Sequence, residues 1–190
     1  MISLDGKILV ALPNITQGVF SKALIFVQQS DSNGTVGFIL NKRFPPNKAK
    51  YIASQLNISE WNRVYYGGPV ATNTGFVLHS EDYRNDDTVQ VLDNIWFTPG
   101  GSIIEDMKNG ITPKEYMLIL GHSSWAPGQL DAEMIGAPFY ESSSWVTADP
   151  DASMFYGRQD AIRSWDFAIR QTARERSSHI LDNKLVSDHG

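Results

Sequence analysis

The segment Gly121-His122-Ser123-Ser124-Trp125 places a histidine and two serines directly after an apolar run, where many hydrolases carry their nucleophile. That arrangement needs a Gly-x-Ser-x-Gly pattern, because a side chain at the last position obstructs the sharp strand-to-helix turn. Trp125 occupies that position here. That His122 is next to Ser123 in sequence does not make it a general base, because the members of a catalytic triad come together in space and not in sequence. The segment therefore predicts no catalytic residue.

Residue types that hold metals or cofactors are sparse. The chain has no cysteine and four histidines, and the histidines lack the His-x-x-x-His spacing of a metal-binding helix. We expect His79 to be a strand-end residue bonded to the backbone. Residues 98–102 (TPGGS) precede a predicted helix but lack the Lys-Ser or Lys-Thr pair of a phosphate-binding loop. We therefore predict no metal and no organic cofactor.

Charge is unevenly distributed along a chain whose net charge is −5. Residues 81–93 carry five carboxylates, whereas residues 158–176 carry five arginines. The two segments either are a solvated acidic loop and a mildly basic helix, or dock on each other within or between chains. Nucleic-acid affinity depends on cations that replace counterions. We therefore expect weak nucleic-acid binding at most, centred on Arg163, Arg170 and Arg174.

Length and composition indicate one folded domain. The chain has 190 residues, of which 42% are hydrophobic, and it contains five Trp, seven Tyr and nine Phe. Such aromatic content argues against disorder. No apolar run approaches the roughly 20 residues that span a bilayer, and no secretory leader is evident, so we expect a cytoplasmic protein with no membrane partner. We assign residues 1–176 to a single domain and residues 177–190 to a polar C-terminal tail that is frayed or helical with a partner.

Apolar runs bounded by turn residues predict a strand-rich fold. The hairpin 22–41, turning at Asn33-Gly34, is the clearest element, and the run 116–120 predicts a buried strand. Shorter runs predict strands at 7–12, 63–66, 75–79, 88–92, 94–97, 145–147 and 154–156.

Helical spacing and capping signals predict the helices. Apolar residues recur at helical intervals over 48–56, 129–135 and from Arg158 onward. Ser102 and Glu105 have the spacing of a capping box, with Gly110 ending that helix. Thr112 and Glu115 repeat the spacing, with Pro113 at the first helical position.

Four ordered blocks carry a resemblance to a known family. The residues 121–131 read GHSSWAPGQLD, and the blocks GFILN (37–41), GGPV (67–70) and GFVLH (75–79) precede them. Together they resemble the AlgH/YqgE family of bacterial proteins, whose signature usually has Gly-Tyr-Ala-Gly-Trp-x-x-Gly-Gln-Leu-Glu. The resemblance covers about residues 4–169 of this sequence. The chain departs from the signature at His122, Ser123, Ser124 and Asp131.

The resemblance implies an α+β fold with a bifurcated, barrel-like β-sheet, mostly antiparallel or mixed, flanked by helices. The family name also suggests a role in transcriptional regulation, and no DNA-binding motif supports direct DNA contact. The resemblance carries no catalytic residues. We therefore expect a regulatory or binding protein that acts through a protein partner or a small molecule, with an enzyme, most plausibly a hydrolase, as the alternative.

Residues 121–131 are the predicted binding segment. Glycines at 121 and 128 and proline at 127 predict a tight loop between the strand 116–120 and the helix at Gln129. Either that loop is scaffold, or it lines a binding cleft together with residues 67–69 and His79. Trp125 would then be an aromatic anchor of the kind favoured at recognition sites. The candidate binding residues are Gly68, Pro69, His79, His122, Ser123, Trp125 and Gln129.

Overall fold

A single curled sheet organises the part of the chain that the computed structural model describes, which is residues 3–136, 143–157 and 160–187. Its strands among these residues are β1 Ile8–Ala11, β2 Leu24–Asp31, β3 Gly34–Ile39, β4 Val64–Tyr66, β5 Val70–His79, β6 Val89–Leu92, β7 Ile95–Pro99, β8 Tyr116–Trp125 and β9 Trp145–Ala148. The strand order is β6-β7-β5-β8-β3-β2-β1-β9, and β4 pairs with β8 off this path. Only the β4–β8 pairing is parallel within the described sheet.

β8 is the strand at which the sheet divides. Its first half pairs with β5 and β4, and its second half, Ser123 to Trp125, pairs with β3. The change falls at Gly121, whose φ of 75° lies in the left-handed region that glycine adopts without steric cost. The bifurcated, mostly antiparallel sheet expected from the resemblance is confirmed.

The hairpin 22–41 is confirmed as β2 and β3. Asp31 pairs with Gly34, so the turn residues are Ser32 and Asn33. The Asp31 carboxylate accepts a hydrogen bond from the Asn33 backbone N–H at 2.6 Å. Gly34, and not Asn33, supplies the positive φ that the turn requires. A side chain at Gly34 would overlap the Trp125 carbonyl, so the turn is fitted closely against β8.

Four α-helices flank the sheet in the described residues: α1 Pro46–Gln55, α2 Gly100–Lys108, α3 Gln129–Ile135 and α4 Ala161–Ser187. α3 has the predicted bounds and ends at left-handed Gly136. α4 is held to the sheet by Trp165, whose indole N–H donates to the Ala11 carbonyl at 2.8 Å. Its backbone stays helical beyond residue 176, to Ser187.

Both predicted capping boxes are wrong. α2 begins two residues before Ser102, after Pro99, and the Ser102 hydroxyl instead bonds with Asn85 at 2.8 Å. Residues 112–115 form no helix because side chains from another segment take their backbone donors. The Lys114 N–H donates to Asp82 and the Glu115 N–H donates to the Ser80 hydroxyl, each at 3.1 Å.

The predicted strand at 154–156 is also wrong. A short 3₁₀ helix spans Ala152–Met154, with the Asp151 carboxylate accepting from the Ser153 N–H. Tyr156 then has a φ of 59°, which a strand does not accommodate. Met154 and Phe155 are nevertheless buried, so the apolar run marks core packing and not a strand.

Three clusters of buried side chains cover the faces of the sheet. β1 is entirely buried, as are the first four residues of β2, which explains why these runs are continuously apolar. No helix among the described residues is long and apolar enough to cross a membrane.

Candidate functional site

The segment 121–131 is not the tight loop that its glycines and proline predict. β8 continues through Trp125, and only Ala126 to Gly128 connect it to α3. The error arises because glycine and serine are typical of turns, whereas here Gly121 allows β8 to bend within the sheet. Residues 121–125 therefore belong to the scaffold strand shared by both parts of the sheet.

Gly68, Pro69, His122 and Ser123 are the predicted residues that the structure does bring together. A side chain at Gly68 would overlap the His122 carbonyl group, and one at Gly67 would overlap that of Gly121. The buried Ser123 hydroxyl donates to the Gly67 carbonyl at 3.3 Å. The glycines thus permit two backbone segments to cross closely, and this contact leaves no space for a ligand between them.

His122 is not paired with a nucleophile. Its ring packs edge-on against Phe76, with ring centroids 6.1 Å apart. Its Nδ1 atom is buried without a hydrogen-bond partner among the described residues. The Ser123 hydroxyl is directed to a backbone carbonyl and not to this ring. A serine–histidine pair of the hydrolase type is therefore not formed at this segment.

Trp125 and Gln129 converge on Glu133, which the sequence did not single out. The Glu133 carboxylate accepts hydrogen bonds from the indole N–H groups of Trp125 and Trp145 at 3.0 and 2.8 Å, and from the Gln129 amide at 3.0 Å. Trp125 is only 4% exposed, and its ring meets that of Trp145 edge-on. These contacts hold α3 against the sheet and leave little of Trp125 available to a partner.

His79 lies apart from the other predicted site residues. It pairs with Tyr116, the first residue of β8. His122 lies six residues further along that strand, which corresponds to roughly 20 Å of strand length. Its Nδ1–H donates to the Ser80 carbonyl, and its Nε2 is hydrogen-bonded to the Thr98 hydroxyl, each at 2.8 Å. Burial lowers the pKa of His79 below its ordinary value, against the opposing effects of Ser80 and Asp82. The predicted strand-end role is confirmed, and burial disfavours the charged form of the His79 imidazole.

A surface groove near the start of α1 has the features that the predicted segment lacks. We call it the cationic groove; it has a volume of about 570 Å³ and is open to solvent. It is lined by Gly18, Val19, Lys42, Arg43, Phe44, Pro45, Lys48 and Tyr66. The chain enters it from the hairpin, crosses at residues 42–45, and begins α1 at Pro46. Tyr66 closes one wall from β4.

Three cations and no carboxylate line this groove among the described residues. The Lys48 ammonium lies 4.7 Å from the centre of the Phe44 ring. Arg43 donates to the Tyr65 hydroxyl at 2.9 Å, and Lys42 donates to the Ser21 carbonyl at 2.7 Å. Burial, and secondarily the nearby Lys22, lower the pKa of Lys42. The groove is therefore a local positive region on a chain whose net charge is −5.

A more enclosed cleft of about 420 Å³ lies on the other side of Arg43. Its polar groups mostly satisfy one another. The Asn41 amide bonds with the Leu24 N–H and with the carbonyls of Lys22 and Ala161. The Asp160 carboxylate caps α4 and pairs with Arg163. Unlike the cationic groove, this cleft has a carboxylate, Asp160, among its lining residues.

Comparison with known proteins decides the family. A family model described as AlgH-like matches residues 8–176. The chain belongs to the AlgH-like family. A UPF0301 protein of Rhizobium meliloti is 32% identical over 180 residues, covering 87% of this chain and 85% of the relative. A UPF0301 protein of Ruegeria pomeroyi is 34% identical over 176 residues, covering 89% of this chain and 91% of the relative.

Solved structures show the same AlgH-like fold. The solution structure of the AlgH protein from Pseudomonas aeruginosa superimposes with a TM-score of 0.66 at 23% identity, covering 88% of each chain. A crystal structure of a protein from Corynebacterium diphtheriae gives a TM-score of 0.65 at 24% identity, covering 87% of this chain and 86% of that one. The α+β fold expected from the resemblance is thereby confirmed.

The cationic groove was missed by sequence reasoning, although residues 42–48 (KRFPPNK) contain its signal. Lys42 and Arg43 precede Phe44 and two prolines there, and Lys48 follows them. The prolines keep the backbone extended before the helix. No group of three or more metal-ligating side chains occurs within the described ranges.

Proposed function

We propose that this AlgH-like protein is a binding protein that captures an acidic segment of a protein partner in the cationic groove, and that it acts as a regulator through this contact. The observation that carries the proposal is the line of Lys42, Arg43 and Lys48 along an apolar, aromatic groove without a carboxylate among its lining residues. A cytoplasmic location remains part of the proposal.

The chemistry of the groove favours a segment in which carboxylates flank an apolar or aromatic side chain. Complementary charge steers such a segment to its site and disfavours partners of the wrong sign. Phe44 and Tyr66 supply an apolar surface against which a partner side chain can be desolvated. Desolvation adds affinity that charge alone does not provide at physiological salt.

The open shape of the groove favours a peptide over a small molecule. Small-molecule sites usually bury about 70–90% of their ligand in a concave pocket. An open groove leaves a small ligand largely in water, whereas a peptide can contact both the cations and the aromatic side chains that line it. The enzyme alternative has no comparable support, because Ser123 and His122 are not arranged as nucleophile and base.

Binding of a fluorescein-labelled peptide that alternates Asp or Glu with Phe tests the proposal by fluorescence anisotropy. A control peptide carries Asn and Gln at the acidic positions. Lys48→Gln should weaken binding of the acidic peptide about two- to fivefold, the usual contribution of one rim cation. The double change Lys42→Gln and Lys48→Gln should weaken it about tenfold or more.

Lys50→Gln is the matched control. Lys50 lies two residues further along α1, but its ammonium is 5.1 Å from the centre of the Trp61 ring and does not line the groove. The proposal fails if the neutral peptide binds as tightly as the acidic one, or if Lys50→Gln weakens binding as much as Lys48→Gln.

A further inference from the structure

Lys42 differs in its surroundings from Lys48, the other lysine of the cationic groove. Its side chain is half-buried against the groove, whereas Lys48 is exposed. Its ammonium has one hydrogen-bond acceptor in the described structure, the Ser21 carbonyl. The positive charge of Lys22 acts on Lys42, and no described carboxylate forms an ion pair with Lys42. The position combines desolvation with like charge and therefore disfavours the ammonium form.

An amine held in this way is a better nucleophile near neutral pH than an ordinary lysine. Desolvation and a neighbouring cation are the two means by which proteins activate lysines for covalent chemistry. The neutral amine can still donate one N–H to the Ser21 carbonyl. Its lone pair then points away from that carbonyl and is available for attack on an electrophile. Burial, and to a smaller extent the charge of Lys22, lower the pKa of Lys42.

The same groove can hold an anionic acyl donor. Arg43 and Lys48 line it together with Lys42, and cations of this kind bind phosphate groups. Electrostatic attraction then raises the local concentration of a phosphate-bearing reagent beside the amine.

We propose that the ε-amine of Lys42 is a preferred site of acylation by acyl phosphates, and that acylation weakens capture of an acidic segment by the groove. The second half of this inference rests on the proposed function, and the first half does not.

The reaction is a simple acyl transfer. The amine lone pair attacks the carbonyl carbon, so that an N–C bond forms and the C–O bond to phosphate breaks. The phosphate departs with that electron pair, and the proton lost by the nitrogen passes to the phosphate or to water. The product is a neutral amide, which removes one positive charge from the groove.

Acetyl phosphate is the probe for the first half. The full chain is incubated with it near pH 8, and the initial acetylation rate of each lysine is measured by peptide mass spectrometry. Lys42 should react at least severalfold faster than Lys48 and Lys50. Equal or slower reaction at Lys42 overturns the inference.

Two comparisons separate activation of the amine from recruitment of the anion. Lys22→Gln removes the neighbouring cation and should slow acetylation of Lys42 about two- to fivefold while leaving Lys50 unchanged. N-acetylimidazole, a neutral donor, should show a smaller preference for Lys42 than acetyl phosphate does. The same preference with both donors would overturn the role of the groove in recruiting acyl phosphates.

The consequence for binding is measured on the chain acetylated at Lys42 and on Lys42→Gln, with the acidic peptide probe. Both should bind more weakly than the unmodified chain, whereas Lys42→Arg should retain binding. If the unmodified chain does not bind the acidic peptide, the proposed function fails while the acetylation rates still decide the first half. If the peptide binds equally before and after acetylation, the regulatory half is wrong.

Discussion

Replacing Glu133 by alanine removes the acceptor on which Trp125, Trp145 and Gln129 converge. The two indoles are 4% and 3% exposed, so their N–H groups have little access to replacement water. Leaving a buried donor unsatisfied costs about 1–3 kcal/mol. Because the half-exposed Gln129 amide can turn to solvent, we expect the two indoles to dominate and the free energy of unfolding to fall by about 2–4 kcal/mol.

Urea denaturation followed by tryptophan fluorescence measures this loss, since two of the reporting indoles lie at the site. For a domain of this size, the melting temperature should fall by about 4–16 °C. Glu133→Gln is the matched control, because its amide oxygen can still accept from an indole, and it should lose less than half as much. A loss below about 0.5 kcal/mol for Glu133→Ala, the usual range of a surface change, would refute a structural role for this cluster.

Three further predictions concern other parts of the molecule. Burial lowers the pKa of His79 below 6.5, so at acid pH the unfolded chain binds more protons than the folded chain does. The free energy of unfolding should therefore decrease from about pH 7 to about pH 5. Equilibrium denaturation across this range should show a smaller decrease for His79→Gln. Gly68→Ala should lower the melting temperature steeply because its side chain would overlap the His122 carbonyl, whereas Gly101→Ala, in open space on α2, should be neutral or stabilising. Duplex DNA should bind more weakly than about 1 μM at roughly 0.15 M salt, and sub-micromolar binding in a filter or anisotropy assay would contradict this.

Local patterns predicted much of the sheet and α3. The hairpin 22–41 follows from two apolar runs that flank turn residues, and α3 follows from its periodicity and the glycine that ends it. The two predicted capping boxes were wrong because a Ser/Thr-x-x-Glu pattern shows only where a helix can begin. Contacts with residues distant in sequence decide where a helix does begin. The Asn85 amide donates a hydrogen bond to the Ser102 hydroxyl. The side chains of Asp82 and Ser80 accept hydrogen bonds from the backbone N–H groups of Lys114 and Glu115.

The predicted binding segment shows why a functional site is harder to infer than a strand. Glycine permits close approach of a backbone to a ligand or to another backbone, and the sequence does not distinguish the two. At Gly68 the neighbour is the His122 backbone. Glu133 and Trp145 meet Trp125 only after folding, as Tyr66 meets Lys42 and Phe44 in the groove. Such groupings depend on contacts between distant segments.

The most direct test of the central claim is to locate the bound acidic peptide on the protein by amide chemical-shift mapping during titration. Binding in the cationic groove predicts saturable shifts concentrated at residues 18–19, 42–48 and 66. These shifts should shrink for Lys48→Gln and persist for Lys50→Gln. Shifts confined to residues 67–69 and 121–129 would instead show that the glycine-rich crossing binds the peptide, and would contradict the account.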